Sequence, residues 1–258
     1  MNRIHTSHAA AKQAGRGLVN VYVPLGHPDL AASERLARAA LEAGADGLEL
    51  GIPFSDPAAD GPTIEAATQN ALRQGTTVQD CLALAGRLRA DFPEAALIAM
   101  TYANLAFRPG WSMFAASLAA AGIDGLILPD VSLEESAPIR DALATHDVAW
   151  VPLVSPMTSA DRMARIAATA TGFLYVVGST GITGQEGPGP LVEATVARAR
   201  QAGAEVPLLV GFGISAGADV RRVLVAGADG AIIGSHLVRL SEDPEAYAQE
   251  VAAMCQGR

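Results

Sequence analysis

The run Gly47-Leu48-Glu49-Leu50-Gly51-Ile52-Pro53 has the apolar make-up of a buried β-strand apart from one carboxylate at its centre. Side chains alternate faces along a strand, so Leu48, Leu50 and Ile52 share one face while Gly47, Glu49 and Gly51 share the other. Glu49 therefore points between two residues without side chains, which predicts room beside it for a small molecule. An unpaired buried carboxylate costs several kcal/mol or takes up a proton instead. A carboxyl with a raised pKa can give and take protons near neutrality. The competing reading is an ion pair inside the core, for which few cations are available on that face.

Three further groups could join it. Asp60 is a second candidate for acid–base or electrostatic work, but it equally suits the cap of a helix starting at Pro62. Asp130, just after Pro129, fits the cap of a helix beginning near Leu133 better than it fits catalysis. Tyr175 lies among aliphatic residues, where a lone aromatic normally packs the core. Glycine turns then recur in the last third of the chain, at Gly181-Ile182-Thr183-Gly184, Gly211-Phe212-Gly213-Ile214-Ser215 and Gly234-Ser235. Turns of this kind let backbone N–H groups approach an anion, and together they predict a phosphate site.

Other chemistries are excluded by residue type. Lys12, in the N-terminal segment, is the only lysine, so no strand-borne amine can form an imine with a substrate. Among the five histidines, His27, His146 and His236 show no ligand-like spacing and His5 and His8 lie near the terminus, so no metal is expected. What remains is metal-free general acid–base chemistry on a phosphorylated substrate.

The elements that must position these groups follow from the pattern. Apolar, β-branched runs alternate with alanine-rich amphipathic stretches, the signature of βα units around a parallel sheet. Strands are predicted at 18–25, 47–52, 97–102, 125–129, 149–154, 173–177, 207–211 and 230–234. Helices are predicted at 31–43, 78–90, 111–121, 133–145, 159–169, 191–201 and 216–226, with an extra helix at 62–73 after the second strand. Eight units in a chain of this length make an α/β fold of the (β/α)8 barrel type, the TIM barrel, as one domain over 1–258, with 1–16 a partly ordered segment or helix. An open doubly wound sheet is the alternative, although no Gly-rich dinucleotide turn follows the first strand. Ala-Gly-x-Asp-Gly recurs at 43–47, 121–125 and 226–230, each time joining a helix to a strand, with the glycine placed for a left-handed C-cap. In a barrel the loops after strands build the active site, and 54–77 and 178–190 are the longest of these.

Composition narrows the partners. The net charge of −9 comes from scattered acidic residues, with no basic stripe for nucleic acid and no polybasic segment for a membrane surface. No apolar run approaches a membrane span and no signal-peptide core opens the chain, so a cytoplasmic location is expected. Cys81 and Cys255 read as reduced structural thiols.

The segment from Glu49 to Ile64, Glu-Leu-Gly-Ile-Pro-Phe-Ser-Asp-Pro-Ala-Ala-Asp-Gly-Pro-Thr-Ile, closely resembles the signature of the tryptophan synthase α-subunit family. Thr101-Tyr102-Ala103-Asn104, Pro129-Asp130, Glu134-Glu135, Gly181-Ile182-Thr183-Gly184, Gly211 to Ser215 and Gly230 to Ser235 agree in order and span nearly the whole chain. The resemblance implies a lyase that cleaves indole-3-glycerol phosphate to indole and glyceraldehyde 3-phosphate by a retro-aldol reaction without metal, imine or cofactor. It implies that Glu49 carries the proton to indole C3 and that Asp60 accepts the indole N–H. Tyr22, Tyr102, Tyr175 and Phe212 would line the substrate site, Thr183 would belong to a closing loop, and the backbone around Gly184, Gly213, Gly234 and Ser235 would hold the phosphate. It further implies a β subunit, using pyridoxal phosphate, as partner.

Two loops depart from the family pattern. Members commonly carry Thr-x-Gly-Asp-Pro after the first strand, where this chain has Pro24-Leu25-Gly26-His27-Pro28. After the sixth strand the usual Ser and Arg are replaced by Gly178 and by the run Gln185-Glu186-Gly187-Pro188-Gly189-Pro190. Three roles are thus in view: the α subunit itself, a free-standing lyase that releases indole, or a non-catalytic activator of a β partner.

Overall fold

The computed structural model describes residues 2–178 and 190–258. Its strands are β1 (Leu18–Pro24), β2 (Gly47–Gly51), β3 (Ala96–Met100), β4 (Gly125–Ile127), β5 (Ala149–Trp150), β6 (Leu153–Val154), β7 (Leu174–Val177), β8 (Leu208–Gly211) and β9 (Gly230–Ile233). Every pairing is parallel, in the order β5-β4-β3-β2-β1-β9-β8-β7-β6. The two ends of that order are consecutive in the chain. Val151 N donates to Leu126 O at 3.0 Å and Tyr175 N donates to Pro152 O at 3.0 Å, so 149–154 bridges both edges and closes a (β/α)8 barrel. The expected fifth strand appears as two short pieces because Pro152 has no N–H to offer the ladder.

The helices are α1 (Arg3–Gln13), α2 (Leu30–Glu42), α3 (Pro62–Arg73), α4 (Val78–Asp91), α5 (Ala103–Phe107), α6 (Trp111–Ala120), α7 (Ala137–Ala144), α8 (Ala160–Ala167), α9 (Pro190–Gln201), α10 (Gly217–Val225), α11 (Ser235–Val238) and α12 (Pro244–Gln256). The extra helix after the second strand is α3, with Pro62 in its first turn. The fourth-unit helix starts at Ala137 rather than near Leu133, because Pro138 belongs in a first turn and cannot lie inside a helix. The sequence reading omitted α5 and α12. The start of α12 is nevertheless written in Asp243-Pro244-Glu245, where the Asp243 carboxylate accepts from Ala246 N at 3.0 Å.

Two apolar layers result. Outward-facing strand residues such as Val21, Leu48, Leu50, Ala99 and Val210 pack under the helices. Inward-facing Leu18, Ala96, Ile98, Ile127, Val151, Phe173, Leu209 and Ile232 fill the barrel, and Ile4 and Ala11 of α1 close its N-terminal end. The repeated Ala-Gly-x-Asp joints hold that end together. Gly44, Gly122 and Gly227 take the left-handed conformation, with φ of 105°, 74° and 96°. The aspartate that follows each of them accepts a backbone N–H from the preceding strand region: Asp46 from Val19 at 2.9 Å, Asp124 from Leu97 at 2.9 Å and Asp229 from Leu208 at 2.7 Å. Each of these carboxylates also meets arginine, Asp46 with Arg16 and Arg258, Asp124 with Arg3 and Arg89, and Asp229 with Arg200. The loops that follow the strands gather at the opposite, C-terminal end.

Candidate active site at the C-terminal mouth of the barrel

Glu49 lies on the inner face of β2, directly opposite Tyr22 in the register with β1. It is only 2% exposed, and its Oε2 has no hydrogen-bond partner among the described residues. Burial, and secondly the charge of Asp60, push its pKa up to about 8. The glycines beside it do not leave room for a ligand as their types predict. A Cβ at Gly51 would collide with the Tyr22 hydroxyl, and one at Gly47 would come within 3.0 Å of Ala96 and Asn20. The missing side chains make way for the protein's own packing, and open space lies farther up, toward the loops.

Asp60 reaches that space from the loop before α3. The cap of α3 is Gly61, without any side-chain bond, so Asp60 is not spent on capping. Burial raises its pKa to about 6, opposed by a hydrogen bond from the Tyr102 hydroxyl. The same Tyr102 oxygen accepts from Ala59 N at 3.1 Å, and its ring stacks on Phe54 with centroids 5.3 Å apart. Tyr102 thus braces the Asp60 turn from behind. Burial, together with Asp60 and Glu49, keeps the Tyr22 and Tyr175 phenols protonated. Tyr175 fills the space at Gly211, where a Cβ would strike its hydroxyl, and meets Phe212 edge-on at 6.2 Å. It belongs to the barrel interior and also borders the cleft.

Asp130 behaves differently from the expectation. Its carboxylate accepts from Ala103 N at 3.0 and 3.1 Å, so it caps α5, on the neighbouring unit, rather than the helix that follows it in sequence.

A cleft opens above Glu49 and Asp60. Glu49, Asp60, Tyr22, Tyr175, Phe212, Gly213, Gly234 and Ser235 all border it. Thr183 and Gly184 lie outside the described residues. Its apolar walls, Ile64, Met100, Ile214 and Ile232, were not singled out from sequence. Strand alternation would have found two of them, since Met100 shares the parity of Ile98, and Ile232 that of Gly230 and Gly234. No Lys, Arg or His is among the described residues that line it. On the β8–β9 side the polar offering is backbone: Phe212 and Gly213 both have positive φ, 76° and 75°, and the chain turns again at Gly234-Ser235. A bulky residue held at positive φ is strained, and such strain gathers at ligand-binding turns.

Comparison with known proteins decides the family. A family profile described as tryptophan synthase alpha chain matches residues 8–257. The tryptophan synthase alpha chain of Chloroflexus aurantiacus is 44% identical over 240 residues, 92% of this chain and 89% of that protein. This chain belongs to the tryptophan synthase α family. Among other α chains, that of Synechococcus elongatus is 39% identical over 258 residues, covering 99% of this chain and 95% of its own. Two solved structures agree: M. tuberculosis tryptophan synthase in an aminoacrylate-bound form, with TM-score 0.91, 31% identity and coverage of 100% and 99%, and the Legionella pneumophila α subunit, with TM-score 0.89, 33% identity and coverage of 100% and 98%. The tryptophan synthase α fold therefore accounts for the barrel end to end.

Proposed function

We propose that this chain is the indole-3-glycerol phosphate lyase of tryptophan biosynthesis, with Glu49 and Asp60 as its working carboxyls. One observation carries the assignment of roles. The two carboxyls face one cleft with pKa values pushed to about 8 and about 6, so near pH 7 Glu49 holds a proton and Asp60 is an anion. A neutral acid and a fixed anion are what this retro-aldol needs.

In the first step Glu49 gives its proton to indole C3, which makes the ring an indolenine-like electron sink. Positive charge grows toward the indole N–H, and Asp60 stabilises it there. The bond between C3 and the glycerol carbon then breaks, its electrons return to the ring, and the adjacent hydroxyl loses its proton as the aldehyde forms. Ionised Glu49 is the base within reach. The walls from Ile64, Met100 and Ile232 suit the planar indole, and the backbone at Gly213, Gly234 and Ser235 holds the phosphate. Tyr102 serves by holding Asp60.

The test is release of indole from indole-3-glycerol phosphate by the isolated chain across pH. A bell-shaped kcat/KM profile with limbs near 6 and 8 is expected, the acid limb from Asp60 and the basic limb from Glu49. No indole at any pH would overturn the proposal.

We further propose that the chain works in the cytoplasm with a tryptophan synthase β subunit docked at this mouth. Phe107 and Met157, on segments that follow β3 and β6, are 64% and 81% exposed, an apolar offering that suits a protein partner. No helix among the described residues is long and apolar enough to cross a membrane. The altered sequence after β7, from Gly178 to Pro190, favours a second reading, a free-standing lyase. A β subunit that accelerates cleavage many-fold supports the first reading, and an unchanged rate supports the second.

A further inference from the structure

His27 stands where family members commonly carry aspartate, and the reaction just described does not use it. Its imidazole is half-buried in the loop between β1 and α2 and is engaged at both nitrogens. Nδ1 lies 3.0 Å from Asn70 Nδ2 on α3, and Nε2 lies 3.0 Å from Ser241 Oγ just beyond α11. The Asn70 amide also donates to Pro28 O at 2.8 Å, as does the Gln74 amide. An amide nitrogen has only N–H groups to give, so Nδ1 must accept. The ring proton of the neutral form therefore sits on Nε2 and donates to Ser241. Burial lowers the His27 pKa, which agrees with a neutral ring.

The two elements joined in this way both contribute to the border of the cleft. Asp60 immediately precedes the Gly61 cap of α3, and Ile64 in its first turn borders the cleft. Gly234 and Ser235 open α11, and Ser241 is tied to its last turn by Ser241 N donating to Val238 O at 3.2 Å. Between them, α3 and α11 meet through Ile64, Ala67, Val238 and Tyr22, an apolar contact that does not by itself fix how one helix slides on the other. Hydrogen bonds have direction and do fix it.

We infer that His27 is a positioning residue, a neutral cross-brace that holds α3 and α11 in register and so keeps the Gly234-Ser235 turn at its working distance from Asp60. The inference rests on the phosphate-binding role given to that turn above.

Its test is calorimetric binding of sn-glycerol 3-phosphate and, separately, of indole to the full-length chain and to His27→Ala, Ser241→Ala and His27→Gln. Losing one or two neutral hydrogen bonds should raise the glycerol phosphate Kd about 3- to 10-fold in His27→Ala, and by less in Ser241→Ala. Indole affinity should stay within about twofold. The double variant His27→Ala/Ser241→Ala should be no worse than His27→Ala, because the two act through one bond. His27→Gln, whose amide can still donate toward Ser241, should recover part of the loss. Imidazole ¹⁵N shifts should show the proton on Nε2. Parent-like phosphate binding by a folded His27→Ala, or equal loss of indole and phosphate, would overturn the brace. If His27→Ala fails to fold, a Ser241→Ala variant with parental Kd does so instead. A parent chain that binds no glycerol phosphate overturns the functional reading and the brace with it, an outcome distinct from the variants alone being silent.

Discussion

The two sides of the cleft solve opposite problems. On the β2–α3 side, carboxyls are buried at a cost, Glu49 with an oxygen left unpartnered and Asp60 steadied by one tyrosine. On the β8–β9 side no charged side chain borders the cleft among the described residues, and the polar groups are turns of backbone at Phe212-Gly213 and Gly234-Ser235. The first side keeps desolvation unpaid so that protons can move. The second presents turns of backbone whose positions are set by the fold and need no counter-charge. Damage to the first should therefore appear in turnover, and damage to the second in affinity.

The sharpest way to break that division is Glu49→Gln. Loss of a general acid–base group costs about 10²–10⁴-fold, and more where one group serves two proton transfers, so kcat should fall by roughly 10⁴-fold with glycerol phosphate affinity nearly unchanged. Rapid-quench or steady-state indole assays check it, and more than a tenth of parental activity would remove Glu49 from the chemistry. Next in size is Asp60→Asn, with kcat expected to fall by about 10²–10³-fold because a neutral amide no longer offsets cation character on the ring. The acid limb of the kcat/KM profile should vanish with it. Since Gly61 caps α3, the variant should melt close to the parent; a loss of stability without loss of rate would reverse the assignment.

How far the sequence reached can be judged on these same residues. The barrel was legible because strand runs and Gly-capped helices recur with fixed period, and the Asp60–Gly61–Pro62 corner was legible as a helix start. Whether Asp60 caps α3 was not, because its hydrogen-bond donor, Tyr102, comes from a different βα unit. Asp130 misled for the same reason: it caps α5, which precedes it in the chain. The glycines beside Glu49 misled as well: their types predict ligand space, and the register of β1 on β2 instead packs Tyr22 against Gly51. Local pattern carries element type and boundaries, and cross-strand neighbours decide what a polar side chain is for.

The β8–β9 side is best probed at Gly234. Gly213 has φ of 75°, so any side chain there strains the backbone whatever it does to a ligand. A Cβ at Gly234 would meet only ordinary contacts, Ile64 at 3.7 Å and Tyr22 at 3.8 Å, and it would intrude on the cleft rather than on the protein. Gly234→Val should raise the glycerol phosphate Kd by about 10- to 100-fold, the worth of one charge-assisted hydrogen bond. Indole should bind nearly as before. Unchanged phosphate affinity in a folded variant would place the anion elsewhere and collapse the contrast between the two sides.

The smallest effect is also the most direct measure of what burying Glu49 costs. Its folded-state pKa of about 8 lies above the ordinary 4.5, so between those values the native chain keeps a proton that the unfolded chain gives up. Protons then favour the folded state through this group, so the contribution of Glu49 to stability is greatest below about pH 4.5, falls as pH rises, and levels off above about 8. Asp60 adds a slope of the same sign over the narrower interval from 3.8 to about 6, and it does so in parent and variant alike. Glutamine has no proton to lose. The Tm of Glu49→Gln minus that of the parent should therefore grow with pH, from its value near pH 5 to a difference larger by a few degrees at pH 8.5, or about 1–3 kcal/mol. A difference that stays flat over that range would mean that Glu49 is hydrated or paired in the native state, and the side of the cleft assigned to proton transfer would lose its physical basis.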